Sequence, residues 1–164
     1  PYLCSRAVLP IMMRQRRGSI INIGSRMADD PTQGGGVLYS TSKAAIIQFT
    51  QSVAIEYARK NIRCNCVLPG LINTPMVHNS LAEFYAAVYI PKMIEMRDEQ
   101  CPTGKMGDAW DVAHAALFLA SDEANDVSRQ ACHVCGMFNR WLRTLAGTRK
   151  TPCIVHDAHR PIEF

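Results

Sequence analysis

An α/β fold built on a parallel sheet is what this chain predicts, on three observations. Two short runs, Ser19-Ile20-Ile21-Asn22-Ile23 and residues 62–68, read as buried strands, and each stops at turn punctuation, Gly24-Ser25 and Pro69-Gly70. Between them Ile46, Phe49, Val53 and Tyr57 recur at spacings of three and four, the stripe of a helix that lies on a sheet. A second apolar helical pattern covers 110–121. Strand and helix in alternation point to parallel pairing.

The elements follow in order. Residues 3–13 carry a helical pattern, and Arg14-Gln15-Arg16-Arg17-Gly18 closes it, with cations suited to the negative end of the helix dipole and Gly18 suited to the cap. The first strand, 19–23, ends at Gly24-Ser25. The run Gly34-Gly35-Gly36 then reads as loop, and Tyr39 opens the long helix, where Ala44, Ala45, Ala54 and Ala58 add small surfaces for close packing. In the second strand Cys64 and Cys66 alternate with Asn65, and a buried free thiol behaves there as a small hydrophobe. Residues 74–100 are rich in Met and aromatic side chains: Met76, Phe84, Tyr85, Tyr89, Met93 and Met96. Such residues suit an adaptable apolar site and ordinary core packing about equally. His78 and His114 read as surface residues.

Three side chains carry chemistry. Tyr39 and Lys43 lie four residues apart in Tyr39-Ser40-Thr41-Ser42-Lys43, so on a helix the ammonium sits one turn beyond the phenol. A free phenol titrates near ~10, and a fixed positive neighbour favours its phenolate. Such a phenol can trade protons with an alcohol or ketone. Ser25, fourteen residues before Tyr39, ends the first strand and offers a hydroxyl to a substrate oxygen.

The order strand–Ser25–loop–Tyr39/Lys43 helix–strand–Pro69-Gly70, with Arg63-Cys64-Asn65 before the turn, resembles the C-terminal half of a short-chain dehydrogenase/reductase (SDR). The resemblance implies a partial Rossmann-like, doubly wound parallel sheet over residues 1–127. It implies catalytic roles for Ser25, which would bond the substrate oxygen, Tyr39, the proton donor or acceptor, and Lys43, which would also hold the nicotinamide ribose. It places Pro69, Gly70, Ile72 and Thr74 beside the nicotinamide of NAD or NADP, with Tyr39 and Lys43 completing the cofactor contacts. It makes 74–100 a substrate lid closed by Cys101-Pro102-Thr103-Gly104-Lys105-Met106-Gly107, and the substrate a small-molecule alcohol or ketone. The helix from Tyr39 to Arg59 would join the 3–13 helix in a homo-oligomer interface.

Other family features are absent from the sequence. No Gly-x-Gly-x-x-Gly or short-chain variant occurs, so no turn for a cofactor pyrophosphate is present, and neither is the helical Asn of the catalytic tetrad. The chain reads as a fragment whose activity by itself is not expected. After Asp122-Glu123-Ala124-Asn125 the pattern changes: Arg129 occupies a position that favours glycine, and Cys132-His133-Val134-Cys135-Gly136 replaces the expected last strand. Charge marks the same break. Residues 1–127 hold 12 basic and 12 acidic residues, whereas 128–164 hold 6 and 2, the whole net charge of +4. Residues 128–164 therefore read as a divergent basic tail, disordered or aberrant. Within it Cys132, Cys135, Cys153 and His156 form a Cys-x-x-Cys…Cys-x-x-His order that a zinc ion could join, the alternative to incidental spacing in a Cys/His-rich tail.

Composition narrows the function classes. With 48% hydrophobic and 20% charged residues, the chain is of ordinary globular type. It has no apolar run near the ~18 residues of a spanning helix and no signal-peptide pattern, so no membrane partner and a soluble, cytoplasmic protein are expected. The balanced body offers no nucleic-acid surface. Two functions remain in view: an NAD(P)-dependent oxidoreductase, and a non-catalytic relative acting through its helical interface.

Overall fold

The structure, a computed structural model, describes residues 1–29, 36–81 and 90–134. Helix α1 (Tyr2–Gln15) leads into β1 (Gly18–Ile23), and α2 (Val37–Tyr57) crosses to β2 (Ile62–Pro69). A two-residue strand β3 (Ile72–Asn73), α3 (Ile90–Gln100), a second two-residue strand β4 (Gly107–Asp108), α4 (Ala109–Ala120) and β5 (Ala131–Val134) follow. The main sheet has the order β1-β2-β5, all parallel, and β3 pairs with β4 in a small second ladder. The α/β parallel sheet expected from the sequence is the fold observed.

Alternation along the strands explains the layers. Ile20, Ile62 and Cys64 share one face of the sheet and pack with Leu9, Met12 and Met13 of α1 and Phe49, Val53, Ala54 and Tyr57 of α2. Phe49, Val53 and Tyr57 of the predicted α2 stripe thus meet the sheet. Tyr2 and Phe49 meet edge to face at 6.4 Å, setting α1 beside α2. On the opposite face Ser19 donates to the Leu119 carbonyl at the end of α4, so helices cover both faces. Cys64, Asn65 and Cys66 are fully buried, as β2 is the central strand.

Three local differences from the sequence reading have physical causes. The cap of α1 is Arg16, at φ 50°, rather than Gly18, and the Asn61 side chain donates to the Arg16 carbonyl to hold that turn. Helix α2 opens at Val37, so Tyr39 lies in its first turn. The last strand, which the sequence suggested was replaced, is present. Ala131–Val134 pairs with Cys66–Pro69, and Arg129 does adopt the left-handed region, at φ 66°. Buried Asn65 is what holds that turn. Its amide donates to the Val127 carbonyl and its oxygen accepts from the Gln130 N–H, while the Arg129 N–H reaches the Cys64 carbonyl. The Gln130 carbonyl then receives the Cys66 N–H and starts the ladder.

Candidate active site

The carboxyl ends of β1 and β2 point to one edge of the sheet, where ligands of open α/β sheets bind. Gly24 ends β1 and donates its N–H to the Val67 carbonyl at 2.8 Å. A Cβ at Gly24 would lie 2.5 Å from Leu68 Cδ2 and 2.9 Å from Cys66 Sγ, so only glycine lets the chain turn this close to β2. Ser25 comes next. It is buried, and its Oγ accepts from the Met27 N–H at 3.2 Å, capping a single turn of 3₁₀ helix, Arg26–Ala28. With a lone pair of Oγ occupied by that N–H, the hydroxyl proton is left to donate to an oxygen arriving from outside.

The turn packs against α2, which brings Tyr39 and Lys43 to the same edge. Lys43 Nζ donates to the Ile23 carbonyl at 3.3 Å and stands 5.7 Å from the centroid of the Tyr39 ring. One ammonium therefore touches the strand end that carries Ser25 and the ring of Tyr39. The Tyr39 side is open to solvent at 45% exposure, which leaves its phenol within reach of a ligand. Ser42, between them, donates to the Tyr39 carbonyl and turns away from this chemistry.

Pro69 ends β2 at this edge, and the Gly70 N–H is tied to the Val134 carbonyl of β5. Ile72 then enters the β3–β4 ladder opposite Gly107, which fixes the path of the 69–74 segment. Thr74 follows, its carbonyl accepting from the Val77 N–H. His78 is exposed and bonds the Asn73 side chain, and His114 is exposed beside the Trp110 ring; neither approaches Ser25 or Tyr39 by any bond described. Of the aromatic-rich stretch, Met93 packs with Val77 and Ile90 in a small core of its own, whereas Phe84, Tyr85 and Tyr89 lie outside the described residues. The run Gly34-Gly35 lies outside them as well, as do Cys135, Cys153 and His156 of the zinc alternative; Cys132 is a half-buried residue of β5. No cluster able to hold a metal ion occurs among the described residues.

Two residues that sequence reasoning passes over set the position of α2 on the sheet. Buried Asn22 of β1 donates to Thr50 Oγ1 of α2 at 2.9 Å, and Thr50 donates in turn to the Ile46 carbonyl. A directional bond between buried polar groups fixes the slide of a helix on a strand in a way that apolar contact does not. The signal was a polar residue inside an apolar strand. The thiols beneath the site are inert: burial pushes Cys64 up from 9.0 to about 11, with Cys66 adding to the rise, and Cys66 itself is raised chiefly by burial. A cavity of about 380 Å³, lined by Arg17, Ser19, Arg63, Asp122 and neighbours, lies at the other end of the strands. Its charged groups are already engaged, Arg17 with Asp122 and Arg63 with the carbonyls of Leu119, Ser121 and Val127.

Comparison with known proteins agrees with the fold. A family model described as Enoyl-(Acyl carrier protein) reductase matches residues 1–138. A 7alpha-hydroxysteroid dehydrogenase of Bacteroides fragilis is 38% identical over 132 residues, which are 80% of this chain and 48% of that protein. The aldohexose dehydrogenase of Thermoplasma acidophilum superposes with a TM-score of 0.77 at 34% identity, over 92% of this chain and 57% of that one. An oxidoreductase of the short chain dehydrogenase/reductase family from Burkholderia thailandensis gives 0.71 at 34% identity, over 82% and 50%. The chain spans about half the length of the curated relatives it matches.

Proposed function

Since this chain belongs to the short-chain dehydrogenase/reductase family of oxidoreductases, whose members use NAD(P), we propose that it carries the proton-transfer half of an alcohol/ketone oxidoreductase site, with Ser25, Tyr39 and Lys43 as its catalytic residues. The observation that carries this reading is the single Lys43 ammonium, bonded to the Ile23 carbonyl two residues before Ser25 and lying over the Tyr39 ring.

In the proposed reaction Ser25 donates its hydroxyl to the substrate oxygen, held in that orientation by the Met27 N–H. Tyr39 gives a proton to that oxygen during ketone reduction and takes it back during alcohol oxidation. Negative charge left on the phenol is met at close range by Lys43. Bound NADH or NADPH would supply the hydride for ketone reduction, and NAD or NADP would accept it in alcohol oxidation. The residues present fit the cofactor's nicotinamide end: the 69–74 segment, fixed by the Gly70–Val134 bond, follows β2 at the sheet edge that also carries Ser25, and the Lys43 ammonium has donors beyond the one given to Ile23. Pro69, Gly70, Ile72 and Thr74 would contact it there. The pyrophosphate needs a glycine-rich turn that these 164 residues do not contain, so the chain alone is expected to hold cofactor weakly and to turn over little. Partners in this reading are a small alcohol or ketone and a second copy of the chain through the helix from Tyr39 to Arg59. Among the described residues no helix is long and apolar enough to cross a membrane.

Titration of the purified chain with NADH and NADPH, read by nicotinamide fluorescence, comes first, followed by ketone reduction under saturating cofactor. Turnover that falls by about a thousandfold in Tyr39→Phe supports the reading, on the scale of a lost acid–base group. Measurable turnover that Tyr39→Phe leaves untouched refutes it.

A further inference from the structure

The single 3₁₀ turn that carries Ser25 is too short to hold itself, since one turn gains few bonds for the dihedrals it fixes. Its amino end is fastened to the sheet through the Gly24 N–H and the Val67 carbonyl. At its carboxyl end stands Asp29, whose N–H returns to the Arg26 carbonyl at 3.3 Å. Asp29 Oδ2 accepts a hydrogen bond at 2.7 Å from Nε2 of His133, a residue of β5 paired in register with Leu68. The carboxylate can only accept, so Nε2 carries the proton in this contact. The bond is partly shielded, with 23% of the His133 side chain and 43% of the Asp29 side chain exposed. It reaches from β5 across the end of β2 to the turn that follows β1.

From this geometry we infer that His133 is a positioning residue for Ser25, acting through Asp29 and the 26–28 turn. The inference rests on the proposed role of Ser25 and deepens it. The Ser25 hydroxyl is oriented only while the Met27 N–H points at its Oγ, and that N–H points there only while the turn stays closed. Fastened at both ends, the turn keeps its shape; released from β5, it opens and the hydroxyl loses its aim. Residue 133 falls beyond the 127/128 break in the sequence pattern, so the inference gives a residue of the divergent segment a task at the site.

Amide hydrogen exchange followed by NMR tests this without turnover. His133→Phe should speed exchange at Met27 and Ala28 by about tenfold and move the Met27 amide resonance, while protection along β2 stays as it was. His133→Gln keeps a donor for Asp29 and should restore both readings. Asp29→Ala removes the acceptor from outside the sheet and should reproduce the effect of His133→Phe, even if the latter folds poorly. Unchanged Met27 exchange in Asp29→Ala overturns the inference, as does equal loss of protection across β2 and the turn, or failure of His133→Gln to restore it. A turn that loosens as described, together with unimpaired turnover in Ser25→Ala, would refute the catalytic reading of Ser25 while leaving the tie between His133 and the turn in place.

Discussion

Arg129 shows how a residue accepts an unfavourable backbone when its neighbours make better use of theirs. At φ 66° a side chain with a Cβ is destabilised by about 1–2 kcal/mol. The turn holds because Asn65 satisfies the Val127 carbonyl and the Gln130 N–H inside the protein, where leaving either unpaired would cost as much or more. Arg129→Ala and Arg129→Gly both remove the side chain, and only the second relieves the backbone. Urea unfolding should therefore find the glycine variant more stable than the alanine variant by about 1 kcal/mol. Cys64 makes a prediction of its own. Its unfolded thiol ionises near 9.0 and its folded thiol near about 11, so between those values the folded state binds the extra proton. Stability from this group is complete below pH 9 and falls as pH rises toward 11, by about 3 kcal/mol at most. Cys64→Ala should flatten that part of the urea-midpoint profile; an unaltered slope would show that the thiol does not titrate as burial requires. The pairing of Tyr39 with Lys43 was legible at this scale because a spacing of four on a helix is a local fact, whereas Ser25 was singled out by the family resemblance. Asn22, Thr50 and His133 were not, since each depends on a partner at least 28 positions away.

At the scale of elements, α4 and the strands it follows are joined by one cap. Asp108 ends β4, pairs in register with Asn73, and accepts from the Trp110 and Asp111 N–H groups, while Asp111 returns a bond to the Asp108 N–H. This capping box starts the helix at the point where the small ladder secures the 72–73 segment. Asp108→Ala should lower stability by about 1 kcal/mol in thermal or urea unfolding. Beyond that loss, the small ladder should fray, seen as faster amide exchange at Gly107, whose N–H bonds the Leu71 carbonyl. The far end of α4 is held differently: the Arg63 guanidinium gathers the carbonyls of Leu119, Ser121 and Val127 and opposes the negative end of the helix dipole. Sequence periodicity located α4 to within a residue and could not show that Arg63, 56 positions before Leu119, closes it.

At the scale of the whole molecule, the described sheet is open on the β1 side, for β1 pairs only with β2 among the described residues. An unpaired edge without proline or charge, as in Gly18–Ile23, favours association. On the helical layer Ile55 is 63% exposed, on the α2 face away from the buried Val53 and Ala54. If copies of the chain meet through the 39–59 helix as proposed, Ile55→Asp should shift sedimentation toward the 18.2 kDa monomer and leave the melting curve in place. Sedimentation unchanged by that substitution would remove the helix from the interface. The amino-acid sequence alone determined the alternation of strand and helix, the buried face of α2, and the spacing of Tyr39 and Lys43, because each follows from the period of a helix or strand within a short window. It could not determine that 131–134 joins the sheet beside β2. Strand pairing there is decided by Asn65 and the ladder of β2, which compensate for a turn that looks unfavourable when read locally. The meeting of Lys43 with the Ile23 carbonyl, two residues before Ser25, and of Asp29 with His133, was likewise decided only when the parallel strands brought their carboxyl ends to one edge, for that juxtaposition is a property of the sheet and of no single segment.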